Sequence, residues 1–230
     1  MSHTKRNTFG LEHGKIGDRI AVVLNGKQVY KSLYKPTNPR SPKQQMHRAK
    51  LAFINRLSAV LADAVNLSFS MVPKPDSGQS PRNAFVKMNW DNGSLVWDED
   101  KGEWTLNPNR LVLADGPRFI SDSMTAAIRN SKLYITCPNP GLENSHAVND
   151  DKLFVAIYRP KVQELHFYAG PLRVKCGKSV YELPELTGKD DIMLVYAWFQ
   201  ATLYHRSNGN KITVRPGQAS KSLYLGSFSL

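Results

Sequence analysis

Basic residues are concentrated in the N-terminal quarter of the chain, where they could bind an acidic partner. Residues 22–50 contain eight Lys, Arg and His residues and no acidic residue. Residues 1–60 hold twelve of the 31 Lys and Arg residues but only two of the 19 acidic residues. Such a concentration raises the local positive potential and favours nucleic acid or an acidic protein surface. The candidate binding residues are Lys15, Arg19, Lys27, Tyr30, Lys31, Tyr34, Lys35, Arg40, Lys43 and Arg48.

Three kinds of partner are consistent with this pattern. If the segment binds nucleic acid, its aromatic side chains would stack on bases while its basic side chains contact phosphates. The residues concerned are Phe9, Tyr30, Tyr34, Lys27, Lys31, Lys35 and Arg40. If it binds a neighbouring subunit, the same charges would meet an acidic surface; we favour this reading because the segment contains ordered elements rather than a loose polybasic tail. A bacterial module that binds a protein or glycan through its loops is the third alternative.

Residues that could catalyse a reaction or bind a metal ion are scattered along the sequence. The six His residues are scattered, and none stands at helical spacing from another His or a Cys, which disfavours a zinc site. The acidic run 98–100 lacks the glycine and ligand spacing of a calcium loop and is interpreted as an exposed turn. Cys137 and Cys176 form no CxxC motif and are interpreted as reduced, half-buried thiols of a cytoplasmic protein. We expect no enzyme, cofactor or metal site, because phosphate-binding glycine motifs and a nucleophile elbow are also absent.

A hairpin and its flanking arm must position the first of these basic residues. Strands at 19–24 and 27–34 flank Asn25-Gly26, the dipeptide best suited to a type I′ turn, and this pattern predicts a β-hairpin. Residues 1–17 show no hydrophobic period, so we expect a flexible arm unless a partner orders it. A lone hairpin is only marginally stable in water. It must therefore pack on the rest of the chain or on another subunit.

A proline-containing linker at residues 35–42 leads from the hairpin into a helix. Ser41 suits the N-cap, Pro42 the first helical position and Gln44 the capping box. The helix is predicted over residues 42–65. Its buried stripe is predicted to contain Met46, Phe53, Leu57, Val60, Leu61 and Ala64.

After a second linker at 73–81 and a short helix at 82–89, short apolar runs alternate with turns. This pattern predicts an antiparallel β-sandwich of the immunoglobulin or fibronectin type, with residues 193–204 as a long central strand. The predicted strands are 94–97, 103–106, 110–113, 133–137, 153–158, 164–168, 172–174, 193–205, 211–214 and 222–228. The fold class is mainly β with α. The predicted domains are 1–72 (basic arm, hairpin and helix), 73–94 (linker with a short helix) and 95–230 (β-sandwich).

The N-terminal half also resembles a family of unknown function from bacteria of the Bacteroides group, which occurs in phage-related contexts. The resemblance covers about residues 10–70. The matching motifs are Gly14-Lys15-x-Gly17, Asn25-Gly26, Lys31-Ser32, Asn38-Pro39-x-Ser41-Pro42-x-x-Gln45 and Arg48-Ala49-Lys50. Leu24 replaces the tryptophan usual before the hairpin glycine. The family implies an immunoglobulin- or fibronectin-like β domain that ends in a strand, here Leu223-Tyr224-Leu225-Gly226, and implies no catalytic residues.

We expect from these features a non-enzymatic structural or assembly protein, of the kind found in a phage virion. Its partners would be other virion or assembly subunits in a homo- or hetero-oligomer, with DNA contact as the alternative. No apolar run reaches 18 residues and the N-terminus has no secretory apolar segment. We therefore expect no membrane insertion and a location in the virion or in the cytoplasm of the producing cell.

Overall fold

The computed structural model describes residues 5–6, 12–24, 27–33, 40–70, 79–138, 150–183, 191–206 and 212–229. Two compact units share the chain. The first contains Met1–Gln45 and Pro75–Gly78, and the second contains Met46–Lys74 and Gln79–Leu230. The contacts thus divide the chain within the predicted helix rather than at residues 72 and 94. The three predicted domains stay a prediction.

The first unit contains a four-stranded antiparallel sheet with the order β1-β2-β3-β4. Its strands are Lys5–Arg6 (β1), Glu12–Ile16 (β2), Arg19–Leu24 (β3) and Lys27–Ser32 (β4). Strands β3 and β4 pair from Arg19 with Ser32 to Leu24 with Lys27, which confirms the predicted strand pair. The turn Asn25-Gly26 lies outside the described residues.

Strand β2 corrects the prediction of a flexible arm for residues 12–16, whereas residues 1–4 and 7–11 of that predicted arm lie outside the described residues. Its pairing with β3 ends at Ile16 opposite Arg19, so only two residues connect the strands. Gly17 in this connection has φ +58°, a conformation that glycine adopts without steric cost. The strand was missed because Ile16 is its only aliphatic residue, so no hydrophobic alternation marks it. The hairpin is therefore part of a larger sheet within its own chain.

The helical segment follows the prediction closely. Helix α1 spans Pro42–Val60 and α2 spans Ala62–Ser68. The Ser41 hydroxyl accepts a hydrogen bond from the Gln44 backbone amide at 3.3 Å, which confirms the predicted N-cap. Backbone hydrogen bonds to either side of Leu61 join the two helices, so residues 42–65 follow the predicted helical path.

The buried stripe of these helices differs from the prediction at its first position. Leu57, Leu61 and Ala64 are buried as predicted, and Phe53 and Val60 pack against the same core. Met46, however, is 37% exposed, whereas Ile54 is fully buried. The stripe therefore begins about two turns later than the spacing suggested.

The second unit is built around a long strand, as residues 193–204 predicted. Its main antiparallel sheet has the order β10-β9-β12, and β13 and β14 share the other edge of β12. The strands are Lys152–Arg159 (β9), Glu164–Leu172 (β10), Met193–Arg206 (β12), Ile212–Ala219 (β13) and Leu223–Phe228 (β14). Residues 193–201 of β12 are all buried because both faces of the sheet are covered.

The two faces of the main sheet belong to two hydrophobic cores. On one face, Tyr196 and Trp198 share a core with α1, α2 and helix α3, Pro81–Trp90. On the other face, Val195 and Phe199 share a core with a three-stranded sheet of order β11-β8-β7. Those strands are Thr125–Arg129 (β7), Lys132–Thr136 (β8) and Lys178–Glu182 (β11).

The fold class, mainly β with α and antiparallel sheets, is confirmed, but the immunoglobulin-like assignment is not. The helices cover one face of the main sheet, so the second unit has three layers rather than the two of a simple sandwich. A separate hairpin consists of Leu95–Asp98 (β5) and Glu103–Leu106 (β6).

Two predicted strands are wrong. Residues 172–174 contain only the last residue of β10, followed by a 3₁₀ turn at Arg173–Lys175. In the second, Arg110 ends another 3₁₀ turn, Pro108–Arg110, and residues 111–113 pair with no strand among the described residues. Instead, the Asn89 side chain binds both backbone groups of Val112, and the Ser222 hydroxyl accepts from the Leu113 amide. Side chains thus supply the hydrogen bonds that a neighbouring strand would otherwise give.

Candidate functional site

The register of the first unit places three predicted lysines on one face of the sheet. In antiparallel strands, directly opposed residues project to the same face and residues along a strand alternate between faces. Lys15 lies opposite Ile20, which lies opposite Lys31, so these three residues form one row across the sheet. Two more rows on the same face pair Val22 with Val29 and Leu24 with Lys27. We call this surface the lysine face; it consists of Lys15, Ile20, Val22, Leu24, Lys27, Val29 and Lys31.

The lysine face combines positive charge with exposed aliphatic surface. Leu24 is 48% exposed and Val29 is 37% exposed. Its three lysines are also exposed, and the face carries no acidic residue over the described parts of β2, β3 and β4. Leu24 and Val29 adjoin the half-buried Ile20 and Val22 on this face, and contiguous apolar surface rimmed by polar residues marks interaction sites.

On the opposite face of the same sheet, side chains of β4 form hydrogen bonds with Glu12 of β2. The side-chain amide of Gln28 accepts from the backbone amide of Glu12 at 2.7 Å and donates to its carbonyl at 3.0 Å. The Tyr30 hydroxyl donates to the Glu12 carboxylate at 3.2 Å, and this hydrogen bond raises the pKa of Tyr30. Ala21 on this face is only 2% exposed. Arg19 and Tyr30 therefore lie on the face opposite the three lysines, and Arg19 contacts the Asp18 carboxylate at 3.9 Å.

Strand β4 lies at the end of this sheet. Its pairing partner is β3, and no strand pairs with its other side among the described residues of the first unit. Backbone groups along such an edge can accept an additional strand. The lysine face and the β4 edge are contiguous because Lys27, Val29 and Lys31 belong to both.

The remaining predicted residues do not join the lysine face. Arg40 is exposed, has φ +50° and accepts a hydrogen bond through its carbonyl from the Gln45 side chain at 2.7 Å. Lys43 and Arg48 are exposed on α1. Tyr34 and Lys35 lie outside the described residues. The structure thus brings together three of the ten predicted residues.

Another basic residue of α1 contributes to packing in the second unit. The Lys50 ammonium lies 4.6 Å from the Trp90 ring centroid and 5.1 Å from that of Trp104. It also lies 3.7 Å from the Asp91 carboxylate, and its side chain is 14% exposed. The Trp104 indole in turn donates to the Met46 carbonyl at 3.1 Å. These cation–π contacts hold the part of α1 around Lys50 against the hairpin of β5 and β6.

Two surface cavities of the second unit are large enough to hold a small ligand. One, of about 540 Å³, lies beside α1 and is lined by Arg56, Glu103, Trp104, Tyr158 and Gln163 among others. The other, of about 530 Å³, is lined by residues that include Arg118, Phe119, Asp122 and Lys221. Neither lining contains a His or Cys residue.

Metal sites and membrane-spanning helices were also sought in the parts of the chain that the structure describes. There, no group of three or more His, Cys, Asp and Glu side chains is arranged to hold a metal ion. No helix in those parts has both the length and the apolar character needed to cross a membrane.

Comparison with protein-family models, with curated proteins and with solved structures gave no match to this chain. The evidence for the lysine face as a candidate site is therefore its strand register and the exposure of its side chains. The aliphatic residues of the lysine face were overlooked in the sequence because they were counted only as strand formers. Their signal is the alternation in β4, where Lys27, Val29 and Lys31 occupy every second position.

Proposed function

We propose that the protein is a non-enzymatic assembly protein that docks on an acidic surface of a neighbouring subunit through the lysine face. The observation that carries this proposal is the aliphatic strip of exposed Leu24 and Val29 with half-buried Val22, beside three exposed lysines. Protein interfaces commonly join an apolar centre to a polar rim. An acidic partner with apolar side chains at its centre complements both properties of this face.

Nucleic acid is the second candidate, and the position of Tyr30 argues against it. Single-stranded nucleic acid binds best where aromatic rings stack on bases beside cations that meet phosphates. Tyr30 lies on the opposite face from Lys27 and Lys31 and is hydrogen-bonded to Glu12. The centre of the lysine face is aliphatic, and aliphatic side chains give bases no stacking platform.

A phage virion is the assembly that we propose. Its support is the resemblance of residues 10–70 to a family found in phage-related contexts, together with a surface suited to a subunit contact. In this proposal the protein resides in the particle, or in the cytoplasm of the producing cell before assembly.

The test uses the full-length protein produced in the cells that make the particle. One variant changes Lys15, Lys27 and Lys31 to Gln, and another changes Val29→Ser. The control is Arg19→Gln, which removes one charge from the opposite face. We expect wild type and control to sediment with particles in a density gradient, whereas both lysine-face variants remain in the soluble fraction.

Binding of duplex and single-stranded DNA to the same purified proteins separates the two candidates. Docking on a subunit predicts that Val29→Ser impairs incorporation and that DNA binding is weak in every variant. Nucleic-acid binding through the three lysines predicts a log–log salt slope of roughly −3, lost in the triple variant and retained in Val29→Ser. Normal incorporation of both lysine-face variants would refute docking through this face.

A further inference from the structure

Cys137 and Cys176 are 39 positions apart in the sequence but adjacent in the fold. Cys137 follows β8 and Cys176 precedes β11, and these strands pair up to Thr136 opposite Lys178. The next backbone hydrogen bond runs from the Cys137 amide to the Gly177 carbonyl at 3.0 Å. Both residues belong to the same hydrophobic core, where Cys137 is 1% exposed and Cys176 is fully buried.

The two thiols are in direct contact. Each is the side-chain hydrogen-bond partner of the other. This bond lowers the pKa of Cys137 and raises that of Cys176, so the Cys137 sulfur is the one that bears negative charge more readily. A thiolate, rather than a thiol, is the nucleophile in disulfide exchange.

A fixed cation lies beside the pair. The Arg173 guanidinium is fully buried and acts on both sulfurs, lowering the pKa of Cys137 further. It donates to the Phe119 carbonyl at 2.7 Å and to the Asp151 carboxylate at 3.1 Å. Its central carbon lies 3.8 Å from the Phe199 ring centroid. Because these three contacts fix the Arg173 guanidinium in place, its charge stabilises a thiolate without any movement of the side chain.

We propose that Cys137 and Cys176 are the site of a reversible disulfide cross-link, formed by exchange with a small disulfide of the oxidised-glutathione class. This inference goes beyond the docking role and does not depend on it. The prediction that both cysteines are half-buried is wrong, because Cys137 is 1% exposed and Cys176 is fully buried.

The exchange proceeds in two steps that balance. The Cys137 thiolate attacks one sulfur of oxidised glutathione, whose S–S bond breaks, and the first glutathione leaves and takes up the proton that Cys137 lost. The Cys176 thiolate then attacks the Cys137 sulfur of this mixed disulfide, and the second glutathione leaves with the proton of Cys176. Two protein thiols are oxidised to one disulfide, while one glutathione disulfide is reduced to two thiols.

Burial sets the relative rates of these steps. The first step needs an opening of the core that admits glutathione, so it is slow in native buffer and faster in mild denaturant. The second step is intramolecular, since the pairing of β8 with β11 keeps Cys176 beside Cys137, and we expect it to outpace the first. The mixed disulfide therefore does not accumulate in the wild-type protein.

The experiment incubates the full-length protein with oxidised glutathione, with and without mild denaturant. The free thiols are then alkylated under denaturing conditions, and intact mass and peptide mapping identify the products. We expect both thiols to disappear together, a peptide pair linked through Cys137 and Cys176, and recovery of both thiols with dithiothreitol. The oxidised protein should unfold at a guanidinium midpoint higher by roughly half a molar, because the cross-link restricts the unfolded chain.

The single variants Cys176→Ser and Cys137→Ser test the second step. Each retains one thiol and should stop at the glutathione adduct, because no second thiol is left to displace the bound glutathione. The wild-type protein decides the main proposal even if a variant fails to fold. Two free thiols after incubation in mild denaturant, a stable glutathione adduct on wild type, or disulfides only between chains would each overturn it.

Discussion

Asn89 offers the sharpest test of the architecture because its side chain replaces a missing strand. It is fully buried on α3. Its amide nitrogen donates to the Phe85 carbonyl at 3.0 Å and to the Val112 carbonyl at 2.9 Å. Its amide oxygen accepts from the Val112 backbone amide at 2.8 Å. This one side chain thus fixes the extended segment after residue 110 against the helix.

The expected cost of Asn89→Ala follows from these contacts. Three hydrogen bonds at ~1 kcal/mol each give about 3 kcal/mol. The unpaired Val112 amide adds about 1 kcal/mol, and the better helix propensity of alanine returns about 0.5 kcal/mol. We therefore expect the free energy of unfolding to fall by about 3–4 kcal/mol.

Equilibrium denaturation in guanidinium, followed by tryptophan fluorescence and circular dichroism, measures this loss. Asn83→Ala is the matched control because it makes the same change at an exposed position of the same helix. We expect the control to change the free energy of unfolding by less than about 0.5 kcal/mol. Equal effects in the two variants would show that Asn89 does not hold the segment and that residues 110–113 are placed differently.

Three further perturbations test separate parts of the fold. Ser41→Ala should lower the free energy of unfolding by ~1 kcal/mol through loss of the N-cap; an unchanged denaturation midpoint would place the start of α1 elsewhere. Gly170→Ala should cost roughly 1–3 kcal/mol, since a Cβ there would lie 2.2 Å from the Tyr181 hydroxyl and 3.2 Å from the Leu153 carbonyl; wild-type stability would contradict this packing. Burial raises the pKa of Tyr181 from 10.0 to about 12, so the unfolded state ionises first and stability should fall as the pH rises through this window. Tyr181→Phe should remove up to about 3 kcal/mol of this fall in the free energy of unfolding. A pH profile identical to that of the wild-type protein would show that Tyr181 is not buried as described.

Elements with a local chemical signature could be predicted from the sequence. The β-rich runs on either side of Asn25-Gly26 predicted strands β3 and β4, and the Ser41-Pro42 pair predicted the start of α1. The length and aromatic content of residues 193–204 predicted β12. Each of these signals depends on residues close together in the chain, where backbone preferences act.

Features that depend on distant residues could not be predicted. Residues 110–113 have the apolar character of a strand, but Asn89 and Ser222 supply their hydrogen bonds. The contact between Cys137 and Cys176 arises only when β8 pairs with β11. On the lysine face, the sequence identified the three lysines, but only the strand register places them on the face opposite Tyr30. A linear sequence does not specify which strands become neighbours.

The position of β12 in the second unit also governs how that unit denatures. Its alternate side chains belong to the helical core and to the core of the second sheet, so neither core can be lost while the other stays intact. Melting either layer would leave one whole face of β12 in water, including Trp198 or Phe199. We therefore expect the two cores to unfold together, because β12 contributes side chains to both. In a calorimeter the second unit should show one heat-absorption peak, with equal calorimetric and van't Hoff enthalpies, although it contains two hydrophobic cores.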